Sequence, residues 1–247
     1  MVGDCGPGAV TDKVGRARPS TDRGRLEAAI SIDEASRATR LFIDEYRAED
    51  EHLEAARSRA DEIGLATVAP ATGAVLRWLC QLVGARTVAE IGSGAGVSGL
   101  WMLRGMSADG ILTTVDEDAE STRAARRSFG DAGIPTQRVR LITGRPLEVL
   151  SRLADGGYDL AFFNGDVREY DQYLEEGLRL LRPGGIVAFE HALADGKVPD
   201  PAQRDPSTVA VRLLVNATRE DERIQPLLLP VGDGLLVARK ASAGDGE

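Results

Sequence analysis

From Arg86 onward the chain alternates short apolar runs with longer amphipathic stretches, and this alternation restricts the possible folds more than any other feature. Thr87–Ile91, Ile111–Val115, Val139–Ile142, Tyr158–Phe163 and Gly185–Glu190 read as strands. Val97–Met106, Ala119–Ala132, Pro146–Ala154 and Tyr170–Leu181 read as the helices between them. Strands alternating with helices build a parallel sheet with right-handed crossovers, so the expected fold is α/β, doubly wound and Rossmann-like. A further helix near Ser207–Arg219 precedes Ile224–Leu229 and Leu235–Arg239, which read as an antiparallel hairpin at the C-terminal edge.

Three helices are expected ahead of the first strand. Ser31-Ile-Asp-Glu34 is a capping box opening a helix toward Tyr46. Asp50–Ile63 is closed by Gly64, and Pro70–Val83 is closed by Gly84. Leu76, Leu79, Cys80 and Val83 recur at helical spacing, which makes Cys80 a core side chain rather than a reactive thiol. Trp78 and Trp101 lie in apolar helical patterns; core packing is the expected role for both, with stacking on an aromatic ligand the alternative. Residues 1–25 lack apolar periodicity and are expected to be a disordered leader, with one domain over 26–240 and a flexible tail at 241–247.

Charge narrows the partners. The net charge is −9 with basic residues dispersed, which argues against a nucleic-acid surface; Arg123, Arg126 and Arg127 read as a solvated helix face. No run approaches the length of a membrane span, and two cysteines do not make a disulfide framework. A cytoplasmic protein with a small-molecule partner is the expectation.

The chemistry concentrates in Val88-Ala-Glu-Ile-Gly-Ser-Gly-Ala-Gly-Val-Ser98, where a glycine-rich turn joins the first strand to its helix and can turn backbone N–H groups toward a ligand. Gly94-Ala-Gly-Val-Ser-Gly99 satisfies the dinucleotide pattern, but the strand ends before Gly92, so the register is late for it. In the strand's own register the motif is Glu90-x-Gly92-x-Gly94-x-Gly96. A carboxylate there favours the ammonium and sulfonium of S-adenosylmethionine and opposes a pyrophosphate. Asp116 ends the second strand, beside Glu117, and can accept from both hydroxyls of a ribose; capping of the next helix by Asp116 or Asp118 is the competing reading. Ligands of open parallel sheets sit beyond the C-terminal strand ends, so Glu90, Asp116, Gly144, Asn164 and Glu190 should surround one crevice.

With these residues assembled, the chain resembles the catechol and caffeoyl-coenzyme-A type O-methyltransferases, in a bacterial branch, over roughly Ile43 to Lys240. The resemblance rests on Val88 through Trp101, on Leu181-Arg-Pro-Gly-Gly185, on Asp195-Gly-Lys-Val-Pro-Asp-Pro201 and on Val231-Gly-Asp-Gly234. It implies a methyltransferase sheet, S-adenosylmethionine as methyl donor, a small hydroxyl-bearing and aromatic acceptor, and a homodimer. It also implies donor contacts at Val68, Glu90, Gly92, Ser93, Ser98, Asp116 and Arg145; Gly94, Glu117 and Asn164, on the same turn and strand ends, are expected beside them.

The chain departs from that family where a metal and a lysine base are expected. An Asp-x-Asp-Lys motif is replaced by Asn164-Gly-Asp-Val167, and an Asp-Asn pair by Glu190-His191. Asn164 brings no charge to a hard divalent cation, so magnesium should bind weakly, with a softer ion on Asn164, Glu190 and His191 as the alternative. His191 becomes the first candidate for the base, because imidazole titrates near neutrality; Asp166 and Glu190 follow. A His191 that hydrogen-bonds a loop carbonyl or stays solvent exposed, an S-adenosylmethionine-binding protein without catalysis, and a nicotinamide dehydrogenase remain open alternatives.

Overall fold

A computed structural model describes residue 1 and residues 36–242, so the expected leader, the capping box at Ser31 and most of the expected tail lie outside the described residues. The chain divides into two compact units, Met1–Thr39 and Arg40–Glu247, and the second carries everything that follows. Its helices α1 (Glu51–Glu62) and α2 (Pro70–Leu82) precede β1 (Thr87–Ile91). Then come α3 (Val97–Leu103), β2 (Ile111–Asp116), α4 (Ala119–Asp131), β3 (Val139–Thr143), α5 (Pro146–Leu150) and β4 (Tyr158–Phe163). The chain finishes through α6 (Tyr170–Leu180), β5 (Leu181–Phe189), α7 (Pro206–Glu220), β6 (Ile224–Leu229) and β7 (Leu235–Lys240).

The seven strands order as β3-β2-β1-β4-β5-β7-β6. The first five are parallel; β7 runs antiparallel between β5 and β6. The chain therefore reverses its winding between β1 and β4, where such sheets open a crevice. Alternate residues of each strand feed opposite layers. Phe162 joins Leu76, Leu100, Trp101 and Phe129 in one core, whereas Phe163 joins Tyr170, Tyr173, Leu178 and Phe189 in the other. Cys80 is fully buried, and burial pushes its thiol up to about 12, which keeps it an inert core side chain.

Three expectations change. The fifth strand starts at Leu181, not Gly185, because Arg182 donates to Asp159 at 2.6 Å and to the Val83 carbonyl at 3.2 Å, pinning Arg182-Pro-Gly in an extended path beside β4. Helix α5 stops at Leu150, short of the expected Ala154, where Arg179 takes up the Leu150 and Leu153 carbonyls. Trp78 is 57% exposed, because two residues beyond Leu76 a helix has turned about 200° and points away from the core. Trp101 packs inside as expected and donates its indole N–H to Glu49 at 3.0 Å. No described helix is long and apolar enough to cross a membrane.

Candidate active site

The C-terminal ends of the five parallel strands are stitched into one rim by the main chain. The first residue beyond β3, β1, β4 and β5 donates its N–H to the neighbouring strand: Gly144 to Asp116, Gly92 to Val115, Asn164 to Ile91, and Glu190 to Phe163, at 2.8–3.0 Å. The cleft on this rim has a volume of about 390 Å³. Its walls include Gly92, Asp116, Glu117, Arg145, Asn164 and Asp166 of the expected residues, together with Ile91, Val115, Glu169 and Tyr173. A larger groove of about 590 Å³ runs between α6 and α7, but no strand end reaches it.

The glycine turn is built for close approach. Gly92 has φ +90, and a Cβ there would stand 2.4 Å from the Asn164 carbonyl oxygen. Gly94, at φ +48, donates its N–H to Asp116 Oδ2 at 3.0 Å, while Asp118 N–H donates to Oδ1 at 3.0 Å. Asp118 itself caps α4 by accepting from Glu120 and Ser121, so the cap and the cleft acid are separate residues. Each oxygen of Asp116 keeps a second lone pair, enough to accept from a vicinal diol.

Beneath the turn lies a fully buried carboxyl. Glu90 pairs across the sheet with Thr114 and is fully buried, accepting from Ser98 Oγ and, at 2.6 Å, from Thr114 Oγ1. Ser93 Oγ lies 2.6 Å from the same threonine hydroxyl. Burial pushes Glu90 up to about 7, against the pull of the two hydroxyls, and neighbouring Asp116 pushes the same way. With no exposure, Glu90 does not face the cleft; it fixes the turn through Ser98 and Thr114. Ser93 and Ser98 are buried with it, and Val68 is packed into the core ahead of α2 rather than on the cleft wall.

The β5 end is organised differently. Glu190 is 2% exposed; its Oε1 accepts from Thr72 at 3.4 Å and its Oε2 has no partner among the described residues. Burial pushes its carboxyl up to about 7 despite the positive influence of His191. His191 adopts φ +59, its side chain is 45% exposed, and its Nδ1 lies 3.2 Å from Asp233 Oδ2. The hydrogen bond to Asp233 raises its pKa above the usual histidine value, against partial desolvation. Asp166 is drawn the other way: the Arg168 guanidinium holds its carboxyl below the usual range, which makes it a poor proton acceptor.

The donors at this rim are poor in the charged oxygens that a hard divalent cation prefers. No group of three His, Cys, Asp or Glu side chains able to hold a metal exists among the described residues, Asn164 is neutral, and Glu190 turns inward to Thr72. Sequence reasoning passed over Thr72, Thr114, Tyr173 and Asp233. The signal for Thr114 was present, a polar pair, Thr113-Thr114, inside an otherwise apolar strand.

A family model described as O-methyltransferase matches residues 45–241. A Mycobacterium avium protein bearing an O-methyltransferase name is 52% identical over 190 residues, covering 77% of this chain and 86% of its own. Among solved structures, a Corynebacterium glutamicum protein superposes with a TM-score of 0.80 at 32% identity, over 85% of this chain and 99% of the other. The O-methyltransferase of Bacillus cereus, solved in complex with SAH, gives 0.75 at 27% identity over 82% and 97% of the two chains. A family model over most of the chain and a relative at this identity over most of both chains show that this chain belongs to the O-methyltransferase family.

Proposed function

We propose that this O-methyltransferase transfers a methyl group from S-adenosylmethionine to a hydroxyl of a small aromatic molecule without a divalent cation, His191 accepting the acceptor's proton. The observation that carries this reading is the donor set at the rim: a neutral Asn164, an inward Glu190 and a half-exposed His191 of raised basicity. The Bacillus cereus relative bound to SAH, the demethylated donor, supports the choice of donor.

The residues divide the work. Gly92 and Gly94 leave room for the donor's amino-acid end, Asp116 accepts from the ribose hydroxyls, and Glu117 and Arg145 flank the base. When bound, S-adenosylmethionine supplies an electrophilic methyl on a sulfonium. A phenol of pKa near 10 is only about a thousandth ionised at pH 7, a deficit of roughly 4 kcal/mol. In many enzymes a metal offsets it; here an imidazole takes the proton at its free nitrogen. Exposed Phe42, Tyr46, Trp78 and Leu82 support the homodimer expected of the family.

The test is methyl transfer from labelled S-adenosylmethionine to a pool of phenols and catechols in excess chelator. Product at full rate is the expected result. Product that forms only when magnesium, manganese or zinc is restored overturns the metal-free reading.

A further inference from the structure

The turn between β6 and β7 carries a carboxylate for which the reaction above names no use. We propose that Asp233 is a positioning residue that holds His191 in the tautomer with hydrogen on Nδ1, leaving Nε2 as the ring nitrogen that accepts a proton. Its catalytic part rests on reading His191 as the base; the tautomer stands on geometry alone.

A carboxylate only accepts, so the contact between Asp233 Oδ2 and Nδ1 at 3.2 Å places the hydrogen on Nδ1. The carboxylate is itself held, because Oδ1 accepts from the Asp195 N–H at 2.6 Å. Two main-chain bonds fasten the turn to the loop after β5: Ala192 N–H to Gly234 O at 2.8 Å, and Leu193 N–H to Asp233 O at 2.9 Å. The fit leaves no slack. A Cβ on Gly234 would meet Leu193 Cγ at 2.4 Å, and one on Gly232 would meet Thr72 Oγ1 at 2.6 Å.

The loop so gripped is strained. His191, Ala194 and Asp195 all occupy the left-handed region, at φ +59, +47 and +56, which non-glycine residues keep only where surrounding contacts over-determine it. An orienting acid that fixes the tautomer of an imidazole is a general device of proton-transfer sites. The charged groups facing the ring are Asp233, Glu190 and Asp195, all acidic, with Lys197 paired to Asp195 at 3.8 Å. Each favours the protonated ring and so strengthens the base.

The protein has two histidines, His52 and His191, so imidazole nitrogen spectra of the labelled full chain hold two titrations, assigned with His52→Gln. In the wild type, His191 is expected to carry hydrogen on Nδ1. In Asp233→Asn its pKa should fall by about one unit, with the tautomer shifting toward Nε2–H. The acidic limb of kcat should move down by the same amount, kcat on the plateau should drop about tenfold, and KM for S-adenosylmethionine should stay within about twofold. Hydrogen on Nε2 in the wild type overturns the proposal even if Asp233→Asn fails to fold. Unchanged turnover in His191→Gln overturns the base reading itself, whereas lost turnover there with an unmoved profile in Asp233→Asn overturns the positioning role alone.

Discussion

Two strands of the candidate active-site rim, β1 and β5, each lead to a buried glutamate, and they treat it in opposite ways. Glu90, at the end of β1, has both oxygens engaged by hydroxyls and sits under a turn whose awkward angles are all taken by glycine. Glu190, beyond β5, keeps one oxygen without a partner among the described residues, and its loop places non-glycine residues in left-handed conformations. In the proposed reaction the β1 end receives the donor, and it is satisfied in advance. The β5 end carries the proposed proton acceptor, and there strain and that unpartnered oxygen persist. Preorganisation and adaptability are thus allotted to separate strands.

The largest expected effect comes from spoiling the satisfied half. Gly92→Ala forces a left-handed alanine into the Asn164 carbonyl, and should cost about 3 kcal/mol of stability and abolish donor binding, measured by thermal melting and calorimetric titration. Retained binding at native strength would mean the turn is looser than its contacts indicate. Thr114→Val ranks next: it removes the hydroxyl shared by Glu90 and Ser93 and should cost about 1–3 kcal/mol in a denaturant melt, with weaker donor binding.

The smallest effect belongs to the β5 end and should appear only with pH. The folded value of Glu190, about 7, lies above the ordinary 4.5, so the native state holds its proton more tightly than the unfolded chain does. That contribution is fully present below pH 4.5 and is lost as pH rises toward 7. Glu190→Gln does not titrate, so its stability relative to the wild type should improve by about 1–2 kcal/mol from pH 4.5 to pH 8. A difference independent of pH would show that burial does not hold the proton on Glu190, and would remove the ground for a pH-sensitive β5 end.

The sequence disclosed what depends on local pattern. The strand ends at Ile91, Asp116 and Phe163 followed from apolar runs and the residues that interrupt them; of the five strand-end residues expected around one crevice, Asp116 and Asn164 line it and Glu90, Gly144 and Glu190 do not, whereas Arg145, which does, was implied by the resemblance. The direction in which Glu90 points did not follow, because it depends on the register that sets Thr114 opposite it. The partner of His191 lies 42 positions away, on a turn whose glycine-rich signature was visible but whose target was not. Trp78 misled because an apolar neighbourhood in sequence is shared by both faces of a helix, whereas burial belongs to one.

The placement of β7 between β5 and β6 also bears on the order in which the molecule becomes competent. Domains take shape from the N-terminus as the chain is synthesised, and the glycine turn, its helix and the acids of β2 and β4 are all made before residue 170. The grip on His191 waits for Leu235–Lys240 to slide in beside β5, since that insertion sets the turn against the loop. A nascent chain can thus hold the glycine turn and its acids before the turn that grips His191 exists, so the proposed proton acceptor is seated after the proposed donor cleft.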